Sequence, residues 1–201
     1  MTTDTPTPVR RRRSGEKLEG ALLDAAWDEL VEVGYGRLTM ATIAARAGTS
    51  EPVLYRRWPN KDRVVLAALE RQRARHPIAV PDTGSLRGDL LEQLTTVGTA
   101  LAGFYAIAAA ASFAGLLADT GMTPTQVREH VMAPEGDAAV RAIFCRAAER
   151  GELDLGAVPR AVLEMPFDLV RHDLLMSLEV PGPERIRSIV DDLFLPLVRR
   201  G

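Results

Sequence analysis

The 23 residues from Thr39 to Lys61, TMATIAARAGTSEPVLYRRWPNK, constrain this chain more than any other part of it. Two helix-length segments meet at Ala47-Gly48-Thr49-Ser50. Thr39 and Ser50 stand where N-caps are needed, because their side-chain oxygens can accept from free N–H groups in a first helical turn. Gly48 suits the left-handed stop of the first segment. Pro52 falls in the first turn of the second, where a missing N–H costs nothing. Pro59 ends that segment, and Asn60 caps a further helix beginning at Lys61. This is the spelling of a helix-turn-helix, a unit whose second helix fits the major groove of duplex DNA.

The chemistry of the segment agrees with its shape. Between Gly36 and Leu66 lie six basic residues (Arg37, Arg46, Arg56, Arg57, Lys61, Arg63) and two acidic ones (Glu51, Asp62), a local net of +4 in a chain whose total is −2. A local basic face on an acidic body suits one docking surface for a polyanion. Glu51, Pro52 and Val53 are compact enough for the leading end of a helix to enter the groove. Tyr55 offers a hydroxyl, Arg56 and Arg57 offer guanidinium forks, and Thr39 and Ser50 offer hydroxyls beside free helix N–H groups, so phosphates can be held on both sides. Lys61 sits in a first helical turn, where its charge opposes the helix dipole; a phosphate held there would relieve the conflict. Glu51 can accept from cytosine N4. Against these readings stand plainer ones: Thr39 and Ser50 as caps only, the arginines as a solvated face, Trp58 as core.

The rest of the chain reads as helix. Leu22, Ala26, Leu30 and Val33 mark one face of a first helix ended by Gly34. His76 to Gly84 is a proline-containing loop. Beyond it, helices are expected from Ser85 through Val97, from about Gly103 to Ala118, from Thr123 or Thr125, from Ala138 to Arg150, from Pro159 to Leu178 with Pro166 inside, and from Glu184 to Val198. A kink or split is expected at Ala133-Pro134-Glu135-Gly136. No strand alternation stands out, and the expected fold class is all-α, about nine helices in two layers. Residues 1–14, Thr/Pro-rich and then basic from Arg10 to Arg13, are expected to be a disordered arm without a secretory signal's apolar stretch. Residues 15–60 form the expected reading head and 61–201 the second domain. From Leu94 to Ala118 no residue is charged, but the run is rich in Ala, Gly, Thr and Ser and lacks flanking Lys or Arg, so a buried bundle helix is preferred over a membrane span. Cys145 is the only cysteine, which rules out an internal disulfide or a cysteine metal cage; as a buried thiol it would be inert.

The pattern Gly34…Thr39-x-x-x-Ile43-Ala44-x-x-Ala47-Gly48-x-Ser50-x-x-x-Leu54-Tyr55-x-Arg57-Trp58-x-x-Lys61 resembles the N-terminal signature of TetR-family transcriptional regulators. The likeness covers about residues 16–70. It implies DNA contact by Thr39, Glu51, Pro52, Val53, Tyr55, Arg57 and Lys61. Arg57 stands where histidine is frequent and Trp58 where phenylalanine is frequent, and both preserve the chemistry. Glu51 replaces a small or amide residue and leaves base preference open. The resemblance further implies a homodimer through the last two helices, on an approximately palindromic double-stranded operator. Ile186, Ile189, Val190, Leu193, Phe194 and Leu197 are the candidate interface, with intramolecular core as the alternative.

It also implies a small-molecule effector inside the bundle. Phe104, Tyr105, Phe113, Phe144, Met165 and Met176 are candidates for its walls, with Met122, Met132 and Phe167 beside them. Arg171 and His172, polar within an apolar helix, are candidates for orienting a ligand. The expected function is a cytoplasmic, ligand-responsive repressor without cofactor or metal. The alternative is a helix-turn-helix protein acting without an effector or through protein contacts. An enzyme is disfavoured, since no phosphate loop, nucleophile elbow or metal-spaced His/Glu cluster occurs in the sequence.

Overall fold

α1 (Gly15–Val33) stops where Gly34 turns the backbone to φ +76°, a conformation that carries no Cβ penalty in glycine. The computed structural model describes residues 15–132, 135–177 and 179–198; the expected basic arm and the prolyl bond at 133–134 lie outside them. After α1 come α2 (Met40–Ala47), α3 (Glu51–Tyr55) and α4 (Lys61–Ala74). α5 (Leu86–Ala111) runs through a π-turn (Ser112–Leu116) into α6 (Leu117–Thr120). α7 (Pro124–Met132), α8 (Glu135–Glu149) and α9 (Arg160–Ser177) follow. α10 (Pro183–Arg187) continues through a second π-turn (Ser188–Phe194) into α11 (Leu195–Val198). Counting each rod joined by a π-turn once, the described residues form nine helical stretches and no strand.

Two cores divide the molecule. The first gathers Leu22, Ala26 and Leu30 of α1, Ile43 of α2, Leu54 of α3, and Val64, Val65 and Leu69 of α4. Ala111, Leu116, Val127 and Val131 close it from the bundle side. α4 lies against α1 and also meets α7. Asp24 of α1 ties the pair together, 3.0 Å from Arg71 Nε and 2.7 Å from Arg75 Nη1. Burial pushes the Asp24 carboxyl up, but the two guanidinium groups outweigh it and hold it below the ordinary carboxylate range. The second core is built by α5, α8, α9 and the last helical rod, around Leu90, Leu94, Phe144, Val170, Ile189 and Phe194.

The two helices expected on either side of residue 100 are one continuous α5. Gly98 does not break it, because glycine costs a helix only about 1 kcal/mol when packing holds it in place; Gly98 is buried facing Val180 and Val170. The interruption falls later, at Gly115 with φ +121°. By length and composition the run Leu86–Thr120 could cross a membrane. In the fold, its buried side includes Asp89 and Gln93 as well as leucines, and it packs on α8, α9 and α10. Asp89 is fully buried, where it accepts from the Thr83 backbone at 2.6 Å and pairs with Arg150 at 3.3 Å.

Candidate functional site

The reading head is stiffened by local bonds that the sequence specifies. Thr39 Oγ1 accepts from the Thr42 N–H at 3.1 Å, and Thr42 Oγ1 accepts in return from the Thr39 N–H at 3.1 Å, a reciprocal cap for α2. Gly48 closes α2 at φ +66°. Arg46 holds α2 to α1 through Glu29 at 2.6 Å and through Glu32. Ser50 occupies the N-cap of α3 but makes no side-chain cap bond, so its hydroxyl is uncommitted on an exposed residue. Asn60 caps α4, accepting from the Arg63 N–H at 3.1 Å.

Most of the expected DNA-contact residues are open to solvent. Thr39, Ser50, Glu51, Pro52, Tyr55 and Arg56 are exposed, and Val53 is half-buried. Leu54 is fully buried and Trp58 packs against the first core, as their spacing from Tyr55 suggested. Two of the cations are not wholly free. Arg57 donates to the Val53 carbonyl at 3.4 Å and stands 4.0 Å from Glu19. Lys61 Nζ donates to the Tyr35 carbonyl at 3.3 Å and lies 4.3 Å from the centre of the Tyr35 ring. Lys61 is thus held at the start of α4 by an aromatic face rather than left in solvent.

Tyr35 was missed in the sequence, where nothing marks a tyrosine after a glycine. Its side chain is 1% exposed, and its hydroxyl lies 2.7 Å from Oδ1 of Asp62 at the start of α4 and 2.7 Å from Oδ2 of Asp119 in α6. Burial, then the two carboxylates, push the phenol far above its ordinary value.

Below the head, a cavity of about 980 Å³ opens between α4, α5, α7, α8 and α9. Gln93, Val97, Leu101 and Tyr105, a stripe at intervals of four, form the α5 wall. Phe144, Phe167, Val170 and Leu174 supply apolar surface, and Arg73 enters from the last turn of α4. Of the sequence candidates, Tyr105, Phe144, Phe167 and Arg171 line this cavity. Burial works against the Arg171 charge, but Tyr105 and Asp168 outweigh it and hold its pKa above the usual value.

Phe104, Phe113, Met122, Met165, His172 and Met176 do not line it. Phe104 stacks instead on Trp27 of α1, ring centres 6.2 Å apart. Phe113 is 91% exposed within the π-turn. Helical periodicity explains the α9 residues: Phe167, Asp168, Arg171 and Leu174 share the cavity face, which turns Met165, His172 and Met176 away from it. The side chain of Met132 lies outside the described residues. Cys145, expected to be buried, is exposed at the cavity edge. Arg73 and Gln93 escaped notice because a charge late in a helix and one amide in an apolar run look like surface.

The expected dimer face also divides. Ile186, Ile189, Val190 and Phe194 point into the second core, each 2% exposed or less. Leu193 and Leu197 point outward at 41% and 50% exposed, with Met176 and Val180 exposed on and just beyond α9. One helix cannot show the same residues to its own core and to a partner.

This head and bundle are those of a known class of bacterial regulator. Residues 22–68 match the family described as bacterial regulatory proteins, tetR family, and residues 80–193 match the tetracyclin repressor-like C-terminal domain. An uncharacterized HTH-type transcriptional regulator of Mycobacterium tuberculosis is 30% identical over 186 residues, covering 91% of this chain and 89% of the relative. The DNA-binding transcriptional repressor TetR of Mycobacteroides abscessus is 30% identical over 190 residues, covering 93% and 97%. Among solved structures, the TetR family transcription regulator SCO0332 superposes with a TM-score of 0.63 at 25% identity, covering 88% of this chain and 96% of that one. The fatty acid degradation regulator FadR of Bacillus halodurans has the same fold, with a TM-score of 0.59 at 15% identity over 94% and 99%. The chain belongs to the TetR family: it is a helix-turn-helix transcriptional regulator, of a family whose members bind DNA and dimerise.

Proposed function

We propose that this protein is a cytoplasmic repressor that binds a palindromic operator as a homodimer and is released by a small molecule held in the cavity. Thr39, Ser50, Tyr55, Arg56, Arg57 and Lys61 grip phosphates, while Glu51, Pro52 and Val53 face base edges. Leu193, Leu197, Met176 and Val180 form the apolar part of the dimer face. The observation that carries the reading is the course of α4: Lys61 and Asp62 begin it inside the reading head, and Arg73 ends it in the cavity wall. A ligand that binds better when α4 is tilted shifts the spacing of the two heads, and it acts only through that difference in affinity.

Selection of bound sequences from random duplexes tests the first half. The expected product is a two-fold symmetric site with half-sites about one helical turn, roughly 34–36 Å, apart or a multiple of it. If no duplex is enriched, the helix-turn-helix serves protein contacts instead. Release of the selected duplex by a cavity ligand tests the second half, and an operator complex indifferent to every such ligand would leave a regulator that acts without an effector.

A further inference from the structure

The polar atoms buried in the cavity wall define what the cavity recognises. Arg73 is 9% exposed and Gln93 3% exposed, both facing the cavity. Arg73 Nη1 donates to the His76 carbonyl at 2.8 Å, but its Nε has no hydrogen-bond partner among the described residues. Arg171 Nε and Gln93 Oε1 are likewise buried without a partner. Buried groups of this kind are a small minority in folded proteins, and three of them around one cavity call for an explanation. Two are donors on cations, which want an anionic oxygen; the third is an acceptor, which wants a hydroxyl or N–H.

The charge around the cavity has the same sense. Five arginines line it against three acids, and two of the acids already hold arginines: Glu164 with Arg160 at 2.6 Å and Asp168 with Arg171 at 2.5 Å. The remainder is positive, beside the apolar surface of Leu101, Phe144, Val170 and Leu174.

From these atoms we infer that the effector is an amphipathic organic acid. Its carboxylate lies between Arg73 and Arg171, a hydrogen-bond donor on its body meets Gln93 Oε1, and its apolar part covers the α5, α8 and α9 walls. This rests on the reading of the cavity as the effector site and names the ligand class. It also explains how occupancy reaches the head. Arg73 follows Asp62 by eleven residues on α4, about three turns, so the two side chains leave the same face of the helix about 16 Å apart. A carboxylate that draws on Arg73 acts on the helix whose other end is bonded to Tyr35.

The test compares two dyes of similar aromatic body, 1-anilinonaphthalene-8-sulfonate, an anion, and N-phenyl-1-naphthylamine, which is neutral, titrated into the full chain by fluorescence. The anion should bind at one site per chain at least ten-fold more tightly than the neutral dye. Arg73→Gln should remove that preference and leave neutral-dye binding within about two-fold. Arg171→Gln, on α9, should lower it in the same sense, which keeps the test sound if the first variant folds poorly. Leu101→Trp should block both dyes. Equal affinities for the two dyes, unchanged in both arginine variants, overturn the acid while leaving the cavity as a ligand site. Failure of both dyes to bind with saturation, or binding that survives Leu101→Trp, overturns the cavity reading itself.

Discussion

The hydroxyl of Tyr35 stands 2.7 Å from Oδ2 of Asp119, a residue 84 positions later, and this contact joins the reading head to the bundle. The same oxygen lies 2.7 Å from Asp62 on α4. A phenol has one proton, so it serves one carboxylate at a time. Tyr35 therefore sits where its hydroxyl can exchange a bond to α4 for a bond to the bundle, with Lys61 across its ring face.

Tyr35→Phe should cost about 1.5–3 kcal/mol at neutral pH, the range for a hydrogen bond to a charged group. The dependence on pH has a definite sign. The folded protein holds the phenol protonated far above its ordinary value of 10.0, whereas the unfolded chain releases that proton near it. Wild-type stability from this group is complete below about pH 10 and falls above it by roughly 1.4 kcal/mol per pH unit. The gap between wild type and Tyr35→Phe in urea unfolding should narrow over that window. Parallel stability curves from pH 7 to 11 would show that the hydroxyl is not held as described.

Arg57→Gln and Lys61→Gln should each weaken operator binding across all sequences and reduce the slope of log affinity against log salt by about one. The two differ in their effect on folding. Lys61 also covers the Tyr35 ring and bonds its carbonyl, so its loss should lower the melting temperature, while loss of Arg57, half-exposed beside Glu19, should barely move it. A salt slope unchanged in both variants would remove them from the phosphate contacts.

Glu51 is the acidic residue at the leading end of α3, exposed beside Pro52. Accepting from cytosine N4 favours a cytosine on one strand, and each such contact discriminates by about 1–3 kcal/mol. Glu51→Gln should move the selected base at one position per half-site toward adenine, which an amide pairs bidentately, and leave the other positions unchanged. Selection on both proteins from one random pool reads this directly; identical consensus sequences would place Glu51 off the base edges.

What could be read from the sequence and what could not follows from how far each feature reaches along the chain. The reading head is local: Thr39 caps α2 through Thr42, Gly48 ends it, and Asn60 caps α4, all within a few residues. The family itself was legible from the same segment, and with it the all-α fold. The bundle depends on which side of a long helix faces inward, and composition does not record that. Phe104 and Phe113 look like cavity residues by type, yet one stacks on α1 and the other is exposed, while Gln93 and Arg73 look like surface and are buried. The bond from Tyr35 to Asp119 spans two layers and leaves no mark in either local sequence.

The outward face of the last helical rod supplies the final prediction. Leu193 and Leu197 are exposed in the isolated chain, so a charge there should change folding by no more than about 0.5 kcal/mol. In a dimer built on this face, the same charge is taken out of water without a partner, which is costly enough to separate the subunits. Leu197→Glu, and more so the double variant with Leu193→Glu, should sediment as a folded monomer with unaltered helical content and lose operator binding with the dimer. Val31, an equally exposed apolar residue on α1, is the control: Val31→Glu should remain dimeric. A Leu193→Glu/Leu197→Glu protein that stays dimeric would move the interface to another surface, with Phe113 at the π-turn the next apolar side chain to test.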